Sequence, residues 1–352
     1  MIRQARWNNI SELPESSGGW EAYYPMLHFG LCGKKRIEKH ISTTNILAPI
    51  LVSTPETNMK FVPPVMVGDG EKCASKIKSD KKRVMFMMLG CLFAITTALY
   101  VAADLRTALI WFSLNIVMFG YCKYDFEVIS SETKSIRRRA QYYAWMYCHG
   151  AKYIYYFLFL MMVLGSLQII GINYFGSNEI LLERYGLLYS AVENEAEWWR
   201  ILTGPFLHSG IAHWLSNMFI GSAFALLAGS LLGNKSIFVF LSGAFFSFVV
   251  VYLSRTLLDL DTDGIIGISG GMASLIGYFL AITIKSSGLF PAHFSISTMF
   301  LIALTLLLYS FFISTTSFVC HFSGLVLGLG LGFTFDFVDS SFLDEEDPVQ
   351  AG

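Results

Sequence analysis

The run IAHWLSNMFIGSAFALLAGSLLG, residues 211–233, carries no Asp, Glu, Lys or Arg over a length that crosses a bilayer as a helix. It is apolar all round, the pattern of a membrane span rather than of a helix on a soluble surface. Its two strongly polar side chains, His213 and Asn217, stand four residues apart near its beginning and so share one helix face.

Similar apolar runs recur at 84–103, 105–122, 154–175, 236–254, 266–284, 296–313 and 318–336, with Arg106 and Asp336 as charges at the ends of two of them. The uncharged stretch from Phe294 to Phe335 is too long for one crossing, and Ser314-Thr315-Thr316-Ser317 is its natural break. Hydrophobic residues make up 54% of the chain and charged residues 14%, where a soluble domain carries about 25% charged. The expected fold is therefore an all-α polytopic membrane protein with the lipid bilayer as partner. Neither the net charge of −1 nor any basic stripe suggests nucleic acid. The six cysteines show neither CxxC pairing nor zinc-ligand spacing, so no disulfide framework or metal site is expected.

The chain divides by composition. Residues 1–83 are polar, punctuated by Pro and Gly, and read as a cytoplasmic N-terminal region. Within them Asn45–Val52 is a candidate strand, which Pro49 would confine to a sheet edge. Residues 84–122 form an additional transmembrane hairpin turning near Asp104 and Arg106, and 123–153 a basic cytoplasmic connector. Residues 154–338 hold six spans, and 339–352 are an acidic tail. The basic clusters at 76–83 and 134–152 belong inside under the positive-inside rule, which leaves loops 176–200 and 255–264 outside. Both termini are then cytoplasmic. Met1–Trp20 reads neither as a signal peptide nor as an Arg/Ser-rich presequence, so the spans are expected to direct insertion, with a bacterial plasma membrane as default.

Ionisable and polar groups inside spans are functional candidates. His213, Asn217, Ser269 and His321 each fall in the first turns of a helix entering from outside, so they converge at one depth below the outer surface. Ser269 lies in Gly267-Ile268-Ser269-Gly270-Gly271. At a helix start its N–H groups lack intrahelical partners and suit an oxyanion; the plainer reading is an N-cap serine. His321 leads into Gly324 and Gly328, whose small-xxx-small spacing lets helices approach closely. Gly270, Ala273 and Gly277 offer a matching thin face that would bring the imidazole to Ser269; the alternative is a histidine bonded to a nearby carbonyl. His213 and Asn217 fit oxyanion donors or interhelical polar contacts equally well. His208 reads as a structural loop anchor.

The blocks Glu197-Trp198-Trp199-Arg200…Thr203, Phe206-Leu207-His208…His213…Asn217-Met218, Gly267-Ile268-Ser269-Gly270 and His321…Gly324…Gly328 together resemble the rhomboid family, over residues 154–338. The resemblance implies a six-helix intramembrane serine endopeptidase that cleaves membrane-spanning protein substrates near the outer membrane surface. It implies Ser269 as nucleophile, His321 as general base, His213 and Asn217 as oxyanion-stabilising residues, and no metal or cofactor. Two positions depart from the pattern. Ala273 stands where many rhomboids carry an aromatic residue that packs on the catalytic histidine. Gly229 stands where a glutamate often pairs with the loop arginine, leaving Glu195 or Glu197 as candidates to pair with Arg200.

Two other readings compete. One is a catalytically inactive rhomboid-like membrane scaffold that binds client transmembrane helices, against which the intact Ser269 and His321 argue. The other is a transporter, which would show internal repeats and charges near mid-membrane; the sequence shows neither.

Overall fold

The computed structural model describes residues 16, 19–25, 29–43, 50–57, 60–67, 70–102, 105–131, 133–255, 257, 258, 260, 262–286, 290, 291, 297, 299, 302, 306 and 315–336. The chain divides into two compact units, one of Met1–Ala151 with Ser286–Leu301 and Ser340–Gly352, the other of Lys152–Lys285 with Ile302–Asp339.

The first unit is not purely helical, which corrects the all-α expectation. Strands β1 (Glu21–Tyr24), β2 (Phe29–Cys32) and β3 (Leu51–Ser53) form an antiparallel sheet in the order β2-β1-β3. Pro49 precedes β3 and, with Asn45, lies outside the described residues. Helix α1 (Lys34–Thr43) turns Ile37 and Ile41, one turn apart, into a cluster with Ala22, Val52 and Val67. Alternation along the strands puts Tyr23 and Leu51 on the opposite face, where they meet Phe61, Ala144 and Cys148. Such short segments escape a hydropathy reading because each buries only two or three apolar side chains.

Helices α2 (Gly70–Ala102) and α3 (Leu105–Ser131) pack along one another. Both outrun the expected hairpin, and α4 (Thr133–Phe175) makes most of the expected connector helical. Hydropathy marks only the apolar part of these helices. The polar turns carry Ala74 and Ile77 on α2 and Ile136 and Ala140 on α4, buried together with Val65. Asp125 of α3, itself buried, joins Lys81 of α2 to the buried Arg139 of α4.

The second unit begins within α4. Its outer segment comprises α5 (Asn178–Tyr185), β4 (Leu187–Leu188), α6 (Tyr189–Glu195) and α7 (Arg200–Thr203). Then follow α8 (Ile211–Leu232), α9 (Ser236–Ser254), β5 (Gly264–Ile265), α10 (Ser269–Lys285) and α11 (Thr315–Thr334). Among the described residues Ile136–Phe175, Ile211–Ser254 and Thr316–Thr334 are long and apolar enough to cross a membrane. The second of these breaks at Gly233, where φ is +58°, and so yields α8 and α9. α10 is a shorter apolar helix. Most of the expected span 296–313 and the whole of the 339–352 tail lie outside the described residues. Phe159, Leu167, Ile170 and Phe219 are exposed on these helices while every residue from Gly270 to Phe279 is buried. Apolar groups facing outward around a buried central helix mark an integral membrane protein.

Candidate active site

α10 is central because its face is thin. A Cβ on Gly324 would overlap the Gly270 carbonyl oxygen, one on Gly328 the Ser274 carbonyl, and one on Gly277 the Leu325 carbonyl. α10 and α11 therefore meet backbone to backbone along the small-residue stripe. Ala273 fits this geometry: it is fully buried and lies 3.3 Å from the Cβ position of Gly324. A bulky side chain at 273 would press on that contact.

This approach brings His321, in the second turn of α11, to Ser269, the first residue of α10. His321 Nε2 lies 2.7 Å from Ser269 Oγ. Both side chains are only partly buried, so the pair remains accessible.

The turn ahead of Ser269 is shaped by Gly267, whose φ of +112° is one that side chains rarely adopt. A Cβ there would also stand 2.8 Å from His213 Cε1, 3.1 Å from His213 Nε2 and 4.0 Å from Asn217 Nδ2. His213 and Asn217 thus face the backbone that leads into Ser269. Asn217 is buried, and its Nδ2 has no hydrogen-bond partner among the described residues. Gly267 N–H donates to the Gly204 carbonyl at 3.2 Å, and β5 pairs with β4 through Leu187 and Ile265. The loop from α5 to α7 is thereby stitched to the strand that delivers Ser269.

Arg200 anchors that loop. Buried at 6% exposure, it directs Nε and Nη2 to Glu197 Oε2, each at 2.6 Å. Its Nη1 donates to the carbonyls of Glu183 and Gly186 at 2.6 and 2.9 Å. The carboxylate partner is therefore Glu197, not Glu195. At Gly229 the Tyr153 ring fills the space any side chain would take.

His208 is held through its backbone. Its N–H donates to Gln168 Oε1 at 3.0 Å and its carbonyl accepts from Gln168 Nε2 at 2.6 Å. The imidazole is buried, neither ring nitrogen has a hydrogen-bond partner among the described residues, and it packs edge-on to His213 at 5.2 Å. Burial, and secondarily the neighbouring His213, pulls the His208 pKa down to about 4. Gln168 is the residue that the reading of charges and histidines missed. Its signal was a carboxamide, one of two with Asn173, in the otherwise apolar run of α4.

A cleft of about 480 Å³ opens beside His213, lined by Leu187, Leu188, Ile265, Thr262 and Thr316 among others. Thr262 Oγ1 and Thr316 Oγ1 lie 2.8 Å apart across it, linking the segment before β5 to the first turn of α11. Among the described residues no group of three or more His, Cys, Asp or Glu is placed to hold a metal ion.

Residues 195–336 match the family model described as Rhomboid domain. No curated protein matches the chain.

Proposed function

Because residues 195–336 match the Rhomboid domain model, we propose that the chain is a rhomboid-type intramembrane serine endopeptidase. The observation that carries this reading is the 2.7 Å separation of Ser269 Oγ and His321 Nε2. In this reading Ser269 attacks the carbonyl carbon of a peptide bond in a membrane-spanning substrate. His321 removes the hydroxyl proton and delivers it to the leaving amine. Water then attacks the acyl carbon as it gives a proton to His321, and the acyl group leaves as a carboxylic acid while that proton returns to Ser269 Oγ. The tetrahedral oxyanion forms beside Gly267, where His213 and Asn217 supply side-chain donors. Packing of α10 on α11 orients the imidazole, a task that a carboxylate performs in a catalytic triad.

We assign the chemistry to residues 154–338 and propose that the site opens on the outer side of a bacterial plasma membrane with both termini cytoplasmic. A fluorophosphonate should label the wild-type protein and not Ser269→Ala. Substantial cleavage of a membrane-spanning reporter by Ser269→Ala would end the reading. Thiols introduced at Ser190 and Thr262 should react from outside, and those at Ser135 and Ser286 from inside. The reverse pattern would place the site on the cytoplasmic face.

A further inference from the structure

Gln168 is a polar exception in its stretch of α4. From Ile154 to Phe175 the helix carries no charged residue, and an unpaired carboxamide in apolar surroundings is costly. Two of its three contacts reach the loop ahead of α8, and the third reaches Asn178 at the start of α5. Oε1 accepts from His208 N–H at 3.0 Å, while Nε2 donates to the His208 carbonyl at 2.6 Å and to Asn178 Oδ1 at 2.7 Å. Asn178 Nδ2 in turn donates to the Ser209 carbonyl at 3.2 Å. Two amide side chains thus grip the backbone of residues 208 and 209.

That grip holds Ser209 against His213. Ser209 directs its backbone N–H at His213 Nδ1 across 3.5 Å and its Oγ across 3.2 Å. A backbone N–H can only donate, so this contact favours a bare Nδ1 and, in a neutral ring, a hydrogen on Nε2. Nε2 is the atom 3.1 Å from the Cβ position of Gly267. The ring therefore presents an N–H, rather than a lone pair, to the turn preceding Ser269. A lone pair there would repel a developing oxyanion.

We propose that Gln168 is a positioning residue, which by clamping the backbone of His208 and Ser209 holds His213 in the Nε2–H tautomer with that N–H aimed at the turn before Ser269. The kinetic consequence rests on the protease reading. The tautomer rests on geometry alone.

Nitrogen-15 NMR of the histidine-labelled full chain in detergent micelles, with the His213 signals assigned from His213→Ala, reads the tautomer directly. The wild-type protein should show an unprotonated Nδ1 and a protonated Nε2, and Gln168→Leu a mixture of tautomers. Against a membrane-spanning reporter, Gln168→Leu should lower kcat about 10-fold with KM within about two-fold, part of the loss expected for removing an oxyanion donor outright. Gln168→Glu keeps the acceptor for His208 N–H but loses both donors when ionised, and should fall between the two. Ser209→Ala keeps the backbone N–H and should keep the tautomer. Asn178→Ala loosens the grip from its far end and should shift the tautomer in part, which carries the test if Gln168→Leu does not fold.

A wild-type His213 with its hydrogen on Nδ1 overturns the proposal. So does a loss of activity in Gln168→Leu with the tautomer unchanged, the result a merely structural role would give. A wild-type protein that neither labels with a fluorophosphonate nor cleaves the reporter would overturn the protease reading instead, and the NMR result would still decide the role of Gln168.

Discussion

The carbonyl oxygen of Gly270 occupies the space that a side chain on Gly324 would need. Because the overlap is with backbone, the two helices must separate to admit even a methyl group. Gly324→Ala should destabilise the protein by about 1–3 kcal/mol, the usual cost of overpacking. Separation of α10 from α11 would also lengthen the Ser269–His321 contact, and misplacement by about 1 Å can cost on the order of 10²-fold in rate. Thermal midpoints together with fluorophosphonate labelling rates check both effects. A stable Gly324→Ala protein with wild-type labelling would show that the contact does not hold the pair.

His213→Ala and Asn217→Ala should each lower kcat more than they raise KM. In the protease reading the expected loss is about 10–100-fold, below the ~10²–10³ effect of one oxyanion donor because backbone N–H groups remain. Steady-state kinetics on a transmembrane reporter separates the two constants. A rise in KM at unchanged kcat would assign these side chains to substrate binding.

Arg200→Ala leaves the Glu197 carboxylate and two carbonyls without their cation, and should cost about 3–5 kcal/mol. Arg200→Lys keeps the charge but lacks the planar fork that serves three acceptors at once, so it should recover only part of this. Glu197→Gln keeps a hydrogen-bond acceptor and should be the mildest of the three. Denaturation midpoints in detergent give the ranking. Equal losses for Lys and Ala would mean that geometry rather than charge is what Arg200 supplies.

Acid should destabilise the protein through His208. In the unfolded chain a histidine titrates near 6.5, whereas burial holds His208 at about 4 in the fold. A depressed pKa of this kind contributes stability that is fully present above about pH 6.5 and is lost as pH falls toward 4. The thermal midpoint should drop across that window and drop less in His208→Gln, which cannot titrate. Parallel curves for the two proteins would place the acid sensitivity elsewhere.

Asp125→Asn should destabilise the first unit by about 3–5 kcal/mol, because Lys81 and Arg139 would keep their charges and lose their common carboxylate. Thermal unfolding measures the cost. Fluorophosphonate labelling of Ser269 at temperatures below the transition should be unchanged.

Much of this molecule was legible as sequence because the bilayer is a demanding solvent. A spanning helix must be apolar for about 20 residues, so the runs that become α8, α9 and α11 announce themselves. Any polar group within them stands out, which marked His213, Asn217, Ser269 and His321 as candidates before any packing was known. The thin faces of α10 and α11 were readable for a related reason, since only glycine and alanine spacing permits backbone contact. Tertiary structure decided what depends on distance between segments far apart in the chain. It brought His321 Nε2 to 2.7 Å from Ser269 Oγ, chose Glu197 for Arg200, and set the Tyr153 ring against Gly229. It also turned Gln168, silent in a list of charges and histidines, toward the loop that faces His213. The sheet of β1 to β3 emerged only in three dimensions, because strands of three or four residues gain stability from cross-strand partners and not from a pattern of their own. Hydropathy reports the solvent each segment must face, and side-chain partners depend on a packing that no single segment encodes.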